Sequence, residues 1–252
     1  MKKSALYNAI LKKVEKGAKQ LAVLIDPGKQ NFAELLKTIH ICNQVNIDFF
    51  LVGGSTVSKG DLNKTVHAIK ENSSIPILLF PGDYTQTSDK ADGILFLSLL
   101  SGNNPDYLIG NQILATPTIE KSNLEVIPTG YILIEGGKET AVVRVSQTEP
   151  IPHVDIEKAK TVALTGEYLG KQLIYLEAGS GALKSVSPEM IELVKKTISI
   201  PLIVGGGIRD LKTASQIYTA GADIIVIGNK VEENRHFISE MAQLKSELFS
   251  KI

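Results

Sequence analysis

Three carboxylates in this chain end otherwise apolar stretches, where a charged group is costly to bury unless something answers it: Asp26, Glu135 after Tyr131-Ile-Leu-Ile134, and Glu177. Asp26 follows Leu21-Ala-Val-Leu-Ile25 and opens Asp26-Pro-Gly28, and Glu177 closes Leu173-Ile-Tyr-Leu-Glu177. Ser55 and Thr56 follow a third apolar run, Phe49-Phe-Leu-Val52, through Gly53 and Gly54. An acid and a hydroxyl with water suit Mg²⁺, a hard cation that takes oxygen ligands and often bridges to substrate phosphates. Glu177 is placed to act as a base. Glycines supply the complementary chemistry in Ala178-Gly-Ser-Gly181, Leu202-Ile-Val-Gly-Gly-Gly-Ile-Arg209 and Ile224-Ile-Val-Ile-Gly-Asn229. Glycine lets main-chain N–H groups approach an anion closely, and a following helix turns its positive end toward the same charge. Each feature also has a plainer reading. Asp26 could be a turn carboxylate before Pro27, Ser55 a helix N-cap, Glu177 half of an ion pair, and the glycines tight strand-to-helix turns.

The elements that must position these residues alternate along the chain. Short unbroken apolar runs read as buried parallel strands, and stripes of 3.6-residue period between them read as helices. After an opening amphipathic helix come strand 21–25, helix 31–45 with Phe32, Leu35, Leu36, Ile39 and Cys42 on one face, strand 49–52 and helix 59–71. Strands 76–80 and 93–97 follow, separated by only about a dozen residues, at or below the usual crossover length. The outer helix at this point is therefore expected to be missing or reduced. A helix over 105–119, strand 130–134, a β-excursion within 135–146, helix 155–169, strand 173–177, helix 188–197, strand 202–204, helix 211–220, strand 224–227 and a tail helix from Glu232 complete the pattern. Eight strand–helix alternations favour a closed (β/α)8 barrel over an open doubly wound sheet. In such a barrel the strand ends converge on one mouth, and the loops after strands seven and eight often hold a phosphate. With no low-complexity linker, residues 1–252 read as one domain of the usual barrel size, about 250 residues.

Composition limits the partners. Lysine plus arginine and aspartate plus glutamate number 27 each, so there is no electrostatic footprint of nucleic acid or of an anionic membrane. No apolar run approaches the ~20 residues needed to span a bilayer, and stable membrane insertion is not expected. The single cysteine, Cys42, cannot form an internal disulfide and fits the reducing cytoplasm; in its apolar stripe it reads as a packed core thiol. His40, His67, His153 and His236 share no metal-ligand spacing, and three of them fall on expected helices. Ser180 has no paired histidine signal, so main-chain anion binding is the better reading of Gly179-Ser-Gly181.

At Leu24-Ile-Asp-Pro-Gly-Lys29, Val52-Gly-Gly-Ser-Thr56, Tyr175-Leu-Glu-Ala-Gly-Ser-Gly181, Val204-Gly-Gly-Gly-Ile-Arg209 and Ile227-Gly-Asn229 the chain closely resembles the geranylgeranylglyceryl phosphate synthases and the related heptaprenylglyceryl phosphate synthases. The motifs occur in order over nearly the whole length, and Tyr-Leu-Glu-Ala-Gly-Ser-Gly is far more specific than a generic glycine loop. The resemblance implies a modified TIM barrel whose third outer helix is replaced by a non-helical segment. It also implies transfer of a prenyl group from its pyrophosphate to the C3 hydroxyl of sn-glycerol 1-phosphate, with an ether bond formed and pyrophosphate released. By motif, Asp26 and Ser55 would bind the Mg²⁺ that holds the pyrophosphate. Tyr175, Leu176, Glu177, Ala178, Gly179, Ser180 and Gly181, with Gly206, Gly207, Gly228 and Asn229, would hold glycerol 1-phosphate. Glu177 would orient the attacking hydroxyl and accept its proton.

The donor tail needs an apolar groove, for which Phe96, Leu99 and Tyr107 are candidates, with Leu100, Leu108 and Ile109 beside them; ordinary helix packing is the competing reading for these side chains. Ser101-Gly-Asn-Asn-Pro-Asp-Tyr-Leu-Ile-Gly-Asn111 is similar to the second of the family's two sequence groups, which implies a geranylgeranyl donor and a homo-oligomer, a dimer or a hexamer. Three alternatives stay open: the same reaction with a longer, heptaprenyl donor, a phosphosugar isomerase or synthase using the same phosphate loops, and a non-catalytic phosphate-binding barrel serving as an assembly partner.

Overall fold

The computed structural model describes residues 4–29, 31–54 and 59–249. Ser55 and Thr56, expected near a metal, lie outside the described residues. Among the described residues the apolar runs form eight strands: β1 (Gln20–Ile25), β2 (Phe49–Val52), β3 (Ile77–Leu79), β4 (Gly93–Leu99), β5 (Glu125–Leu133), β6 (Leu173–Glu177), β7 (Leu202–Gly205) and β8 (Ile224–Ile227). They pair in sequence order, all parallel, and β8 returns to β1 with Ile227 opposite Val23, which closes the barrel. Side chains alternate between two cores. Leu21, Val23 and Ile25 join the layer under the helices, while Ala22, Leu51, Leu95, Tyr131, Tyr175 and Val226 pack with one another inside the barrel.

The helices are α1 (Ala5–Glu15), α2 (Phe32–Val45), α3 (Lys59–Asn72), α4 (Asn111–Glu120), α5 (Ala141–Ser146), α6 (Ile156–Tyr168), α7 (Pro188–Thr197), α8 (Leu211–Thr219), α9 (Asn229–Glu233) and α10 (His236–Phe249). Four begin at a side chain that satisfies an otherwise orphaned N–H. Asn31 accepts from Glu34, Asp155 from Lys158, Ser187 from Met190 and Asp210 from Thr213, at 2.7–3.2 Å. The helix α1 lacks such a local cap. Its Leu6 and Tyr7 N–H groups instead donate to the Glu125 carboxylate at the start of β5, each at 2.8 Å. Leu6, Tyr7, Ile10 and Val14 then pack on the interior cluster, so α1 closes the floor of the barrel.

Residues 80–92, between β3 and β4, contain no helix, as the short connection predicts. Asp83 opens a turn there by accepting from the Thr85 N–H at 2.6 Å, and Asp92 ends the segment by accepting from Ile77 N–H at 2.8 Å.

Three local expectations are corrected. The proposed β-excursion over 135–146 is a helix, α5, whose Val142 and Val143 pack on the interior cluster; that contact overrides the strand preference of the β-branched run. The tail helix from Glu232 is two helices, because Asn234 is extended (φ −146°, ψ 100°) and accepts from His236 N–H at 3.0 Å. The strand expected from Gly130 begins five positions earlier, at Glu125; β4–β5 pairing runs through Pro128, which stands opposite Phe96.

Candidate active site

β6 delivers the reactive residues by simple alternation. Tyr175 and Glu177 face the interior, whereas Leu176 and Ala178 join the outer layer, so only the main chain of these two can serve the site. Glu177 pairs with Gly205 of β7, and this register sets what can stand beside it. A Cβ on Gly205 would lie 2.4 Å from the Tyr175 hydroxyl and 3.1 Å from Glu177 Oε2. Glu177 Oε1 accepts from the Gly179 N–H at 2.7 Å. Only 6% of Glu177 is exposed, and it has no ion-pair partner among the described residues, which removes the plainer reading of this carboxylate. Burial pushes its carboxyl up, against the opposing pull of the Gly179 N–H. The Tyr175 hydroxyl beside it is buried and favours the charged carboxylate, although it makes no hydrogen bond of full geometry.

Around this pair the glycine loops form one wall. Gly179, Ser180, Gly181, Gly206, Gly207, Gly228 and Asn229 all border the same cavity, of about 280 Å³. Gly206 has φ +83°, and a Cβ there would sit 2.4 Å from Glu177 Oε1 and 2.5 Å from the Gly179 nitrogen, so only glycine fits. Ser180 Oγ donates to Asn229 Oδ1 at 2.8 Å and ties the β6 and β8 loops together. The anion-facing surface is the loops themselves: the first turn of α8 is already capped by Asp210, so this helix offers less than the sequence suggested.

Asp26 stands across the mouth on the β1 loop. One oxygen accepts from Gly28 N–H at 3.0 Å, the turn role anticipated as an alternative, while Oδ2 lies 3.5 Å from the Lys29 ammonium. Lys29 also reaches Ser180 Oγ at 3.3 Å and Glu232 Oε1 at 3.8 Å, and so bridges the two sides. Among the described residues no group of three or more His, Cys, Asp or Glu side chains could cage a metal. Mg²⁺ held by one or two carboxylates plus substrate phosphates would need no such cage, and Asp26 is the carboxylate at this corner that would serve it.

From this mouth the cavity runs on into an apolar groove against β4 and α4. Phe96, Leu99 and Tyr107 line it as anticipated, joined by Ala115, Ile119 and Val145. The other three candidates do not. Leu100 packs outward where Gly130 and Gly166 leave it room, Ile109 is 59% exposed, and Leu108 lies outside the cavity wall. At the inner end Phe80, Tyr131 and Tyr175 pack together, with ring centroids 5.4–5.7 Å apart, a set of contacts worth about 0.5–1.5 kcal/mol per pair.

Several residues of the site were not singled out from sequence. Lys29 and Arg209 were legible inside their motifs, since each ends a glycine-containing loop; Arg209 donates to the Gly181 carbonyl at 3.1 Å. Lys138, whose ammonium lies 3.2 Å from where a Cβ on Gly181 would stand, likewise ends a glycine pair, Gly136-Gly137, whereas Gln112, in the groove wall with a buried unpaired Oε1, carried no such signal. The Cys42 thiol is buried, as its apolar stripe predicts, and burial pushes it up to about 12; His153 Nε2 contacts the Ser185 carbonyl at 3.0 Å.

Comparison with known proteins agrees with this geometry. The model of the PcrB family matches residues 14–245. Geranylgeranylglyceryl phosphate synthase of Flavobacterium johnsoniae is 49% identical over 93% of this chain and 96% of its own length, and that of Pyrococcus abyssi is 43% identical over 90% and 89%. The crystal structure of (S)-3-O-geranylgeranylglyceryl phosphate synthase from Thermoplasma acidophilum in complex with substrate sn-glycerol-1-phosphate superimposes with a TM-score of 0.90, at 32% identity and 98% coverage of both chains. By the extent of the family match and the identity to these relatives, the chain belongs to the PcrB family, the family of the geranylgeranylglyceryl phosphate synthases.

Proposed function

We propose that this protein is a prenyltransferase that joins geranylgeranyl pyrophosphate to the C3 hydroxyl of sn-glycerol 1-phosphate through an ether bond and releases pyrophosphate. One observation carries the proposal. The glycine loops of β6–β8, the buried Glu177, the Asp26 corner and the apolar groove by Phe96, Leu99 and Tyr107 border a single continuous cavity. A polar phosphoalcohol, a diphosphate and a long hydrocarbon therefore have adjoining places. A twenty-carbon tail laid in the groove gains roughly 25 cal/mol for each Å² removed from water.

In this reading the loop N–H groups and Ser180 hold the phosphate of glycerol 1-phosphate. Glu177 Oε1 is fixed by Gly179, which leaves Oε2 to orient the C3 hydroxyl and take its proton. A carboxyl raised by burial keeps an affinity for that proton. Asp26 would hold Mg²⁺, which when bound neutralises charge on the departing diphosphate. Lys29, which touches both sides, adds a second positive charge between the two anions. A phosphosugar isomerase or synthase would use the phosphate loops but leave the apolar groove without a ligand.

The test is direct. Purified protein is incubated with Mg²⁺, sn-glycerol 1-phosphate and labelled prenyl pyrophosphates of increasing length, and ether products are resolved. Maximal turnover with the geranylgeranyl donor is expected. A heptaprenyl optimum would revise the donor alone, and no ether product at any length would overturn the proposal.

A further inference from the structure

Gln86 is an uncharged side chain in a polar stretch, Asp83-Tyr-Thr-Gln-Thr-Ser88, yet its exposure is 0%. Its amide makes a pairing of the kind one strand makes with another. Nε2 donates to the Gly54 carbonyl at 2.8 Å, and Oε1 accepts from the Gly54 N–H at 3.5 Å and from the Gly82 N–H at 3.1 Å. Nε2 also lies 3.4 Å from Asp83 Oδ2. A buried amide so placed is worth far more as a satisfied group than as an average surface contact, because removing it strands both polar groups of Gly54 and the N–H of Gly82.

The two ends of this link belong to different parts of the site. Gly82 and Asp83, with Pro81 and Tyr84, form a wall of the cavity in the segment that replaces the third outer helix. Gly54, on the β2 loop, passes close to Asp26: a Cβ on Gly54 would lie 2.9 Å from Asp26 Cγ and 2.9 Å from Oδ2, so only glycine leaves the carboxylate its place. A backbone that passes this near limits where that carboxylate can sit. The contacts therefore run from cavity wall through Gln86 and Gly54 to the carboxylate proposed to hold the diphosphate metal.

We infer that Gln86 is a positioning residue for the prenyl donor, fixing the wall that receives the tail in register with the Asp26 corner that receives the diphosphate. This rests on the proposed prenyltransferase reading. Phe80 and Asp92 anchor the two ends of residues 80–92, and Gln86 supplies a link in the middle, at the place where the donor's two ends must agree. An ångström-scale misfit between them separates the allylic carbon from the glycerol hydroxyl and costs about 10–100-fold in rate.

The variants Gln86→Met, close in shape but without hydrogen bonds, and Gln86→Glu, which sets an oxygen against the Gly54 carbonyl, test this. Expected results are an affinity for sn-glycerol 1-phosphate within about twofold of wild type by calorimetry, and a kcat/KM for geranylgeranyl pyrophosphate down by about 10–100-fold. The preference for that donor over geranyl pyrophosphate should shrink about tenfold, because only a long tail needs the register. Equal losses with both donors, or a parallel loss of glycerol phosphate affinity, would mean general disruption and overturn the inference.

A second measurement needs no variant. Adding Mg²⁺ and inorganic pyrophosphate to the wild-type protein should slow amide hydrogen exchange across residues 80–92, although pyrophosphate has no tail to touch them. Exchange unchanged there while pyrophosphate binds would also overturn the inference. Absence of ether product from the wild type would instead be a failure of the proposed function, and the exchange experiment tells the two apart.

Discussion

On the β6–β8 side of the mouth the groups that face a ligand are main chain and one buried carboxylate, locked by Gly206, by the Gly179–Glu177 hydrogen bond and by the Ser180–Asn229 link. On the β1–β4 side they are mainly side chains. Asp26 and Lys29 are partly exposed and paired with each other, while Gln86, fully buried, braces the wall behind them from a segment without regular structure. The first half is organised before any ligand arrives; the second is held by ion pairs that, in the proposed reaction, an incoming cation and diphosphate would rearrange. Preorganised donors stabilise charge without reorganising during the reaction, so the fixed half suits the substrate that attacks. The adjustable half suits the one that leaves.

Substitutions can break or sharpen this contrast. The largest effect is expected from Gly206→Val, which forces a β-branched residue to φ +83° and into Glu177 and the β6 loop. Losing two N–H contacts to a phosphate, each about 1.5–3 kcal/mol, should lower glycerol phosphate affinity by about 10²–10⁴-fold in calorimetry. Unchanged affinity would mean that the fixed half is not the phosphate site. Next is Glu177→Gln, expected to lower kcat about 10²-fold while glycerol phosphate still binds. Because burial raises this carboxyl, wild-type kcat should fall as pH drops through the raised value, and the variant should show no such limb.

Asp26→Ala should raise the Mg²⁺ needed for half-maximal rate by about 10–100-fold or more, the scale seen even when an outer partner of a metal site is lost. Glycerol phosphate affinity should barely move; a magnesium titration that superimposes on wild type would erase the distinction between the halves. The smallest effect concerns stability. A carboxyl whose folded pKa exceeds its unfolded value destabilises the fold once it must ionise, a cost absent at low pH that grows as pH rises through the raised value. Glu177→Gln should therefore melt higher than wild type at pH 8, by about 2–4 °C per ~1 kcal/mol relieved in a domain of this size. The difference should vanish below the ordinary carboxylate range, and a variant that melts lower at pH 8 would show Glu177 to be stabilised, not strained.

How legible all this was from sequence depended on the kind of signal. The barrel could be read because most strands contain a short apolar run and β1, β2, β6, β7 and β8 end at glycine or an acid, and the missing helix because twelve or so residues are too few for a crossover. Strand β5 was cut short in the reading because Pro128 and Gly130 punctuate it, though a parallel neighbour tolerates one missing donor. Helix α5 was misread because Val142, Val143 and Val145 carry strand preference and only a tertiary contact says otherwise. Within the site, residues whose role follows from strand alternation, such as Tyr175, Glu177 and Leu99, could be placed. The same alternation sets Leu100 on the outer layer with Ile94 and Phe96, and only tertiary packing distinguishes Phe96, which borders the groove, from Leu100, which does not. Gln86 was invisible for a different reason: a polar side chain in a polar loop reads as solvated, and only long-range contacts reveal it as buried.

The capping of α1 by Glu125 sets a timetable for synthesis. The helix precedes its acceptor by 118–119 positions, so its first-turn N–H groups have no partner until β5 has been made. At translation rates of about 5–20 residues per second the wait is roughly 6–24 s. Throughout it Leu6, Ile10 and Val14 present a greasy stripe to whatever surrounds the nascent chain. A chaperone that shields this stripe early would spare the protein its most exposed moment, and a ribosome-bound fragment ending before Glu125 is where such a client contact should be strongest.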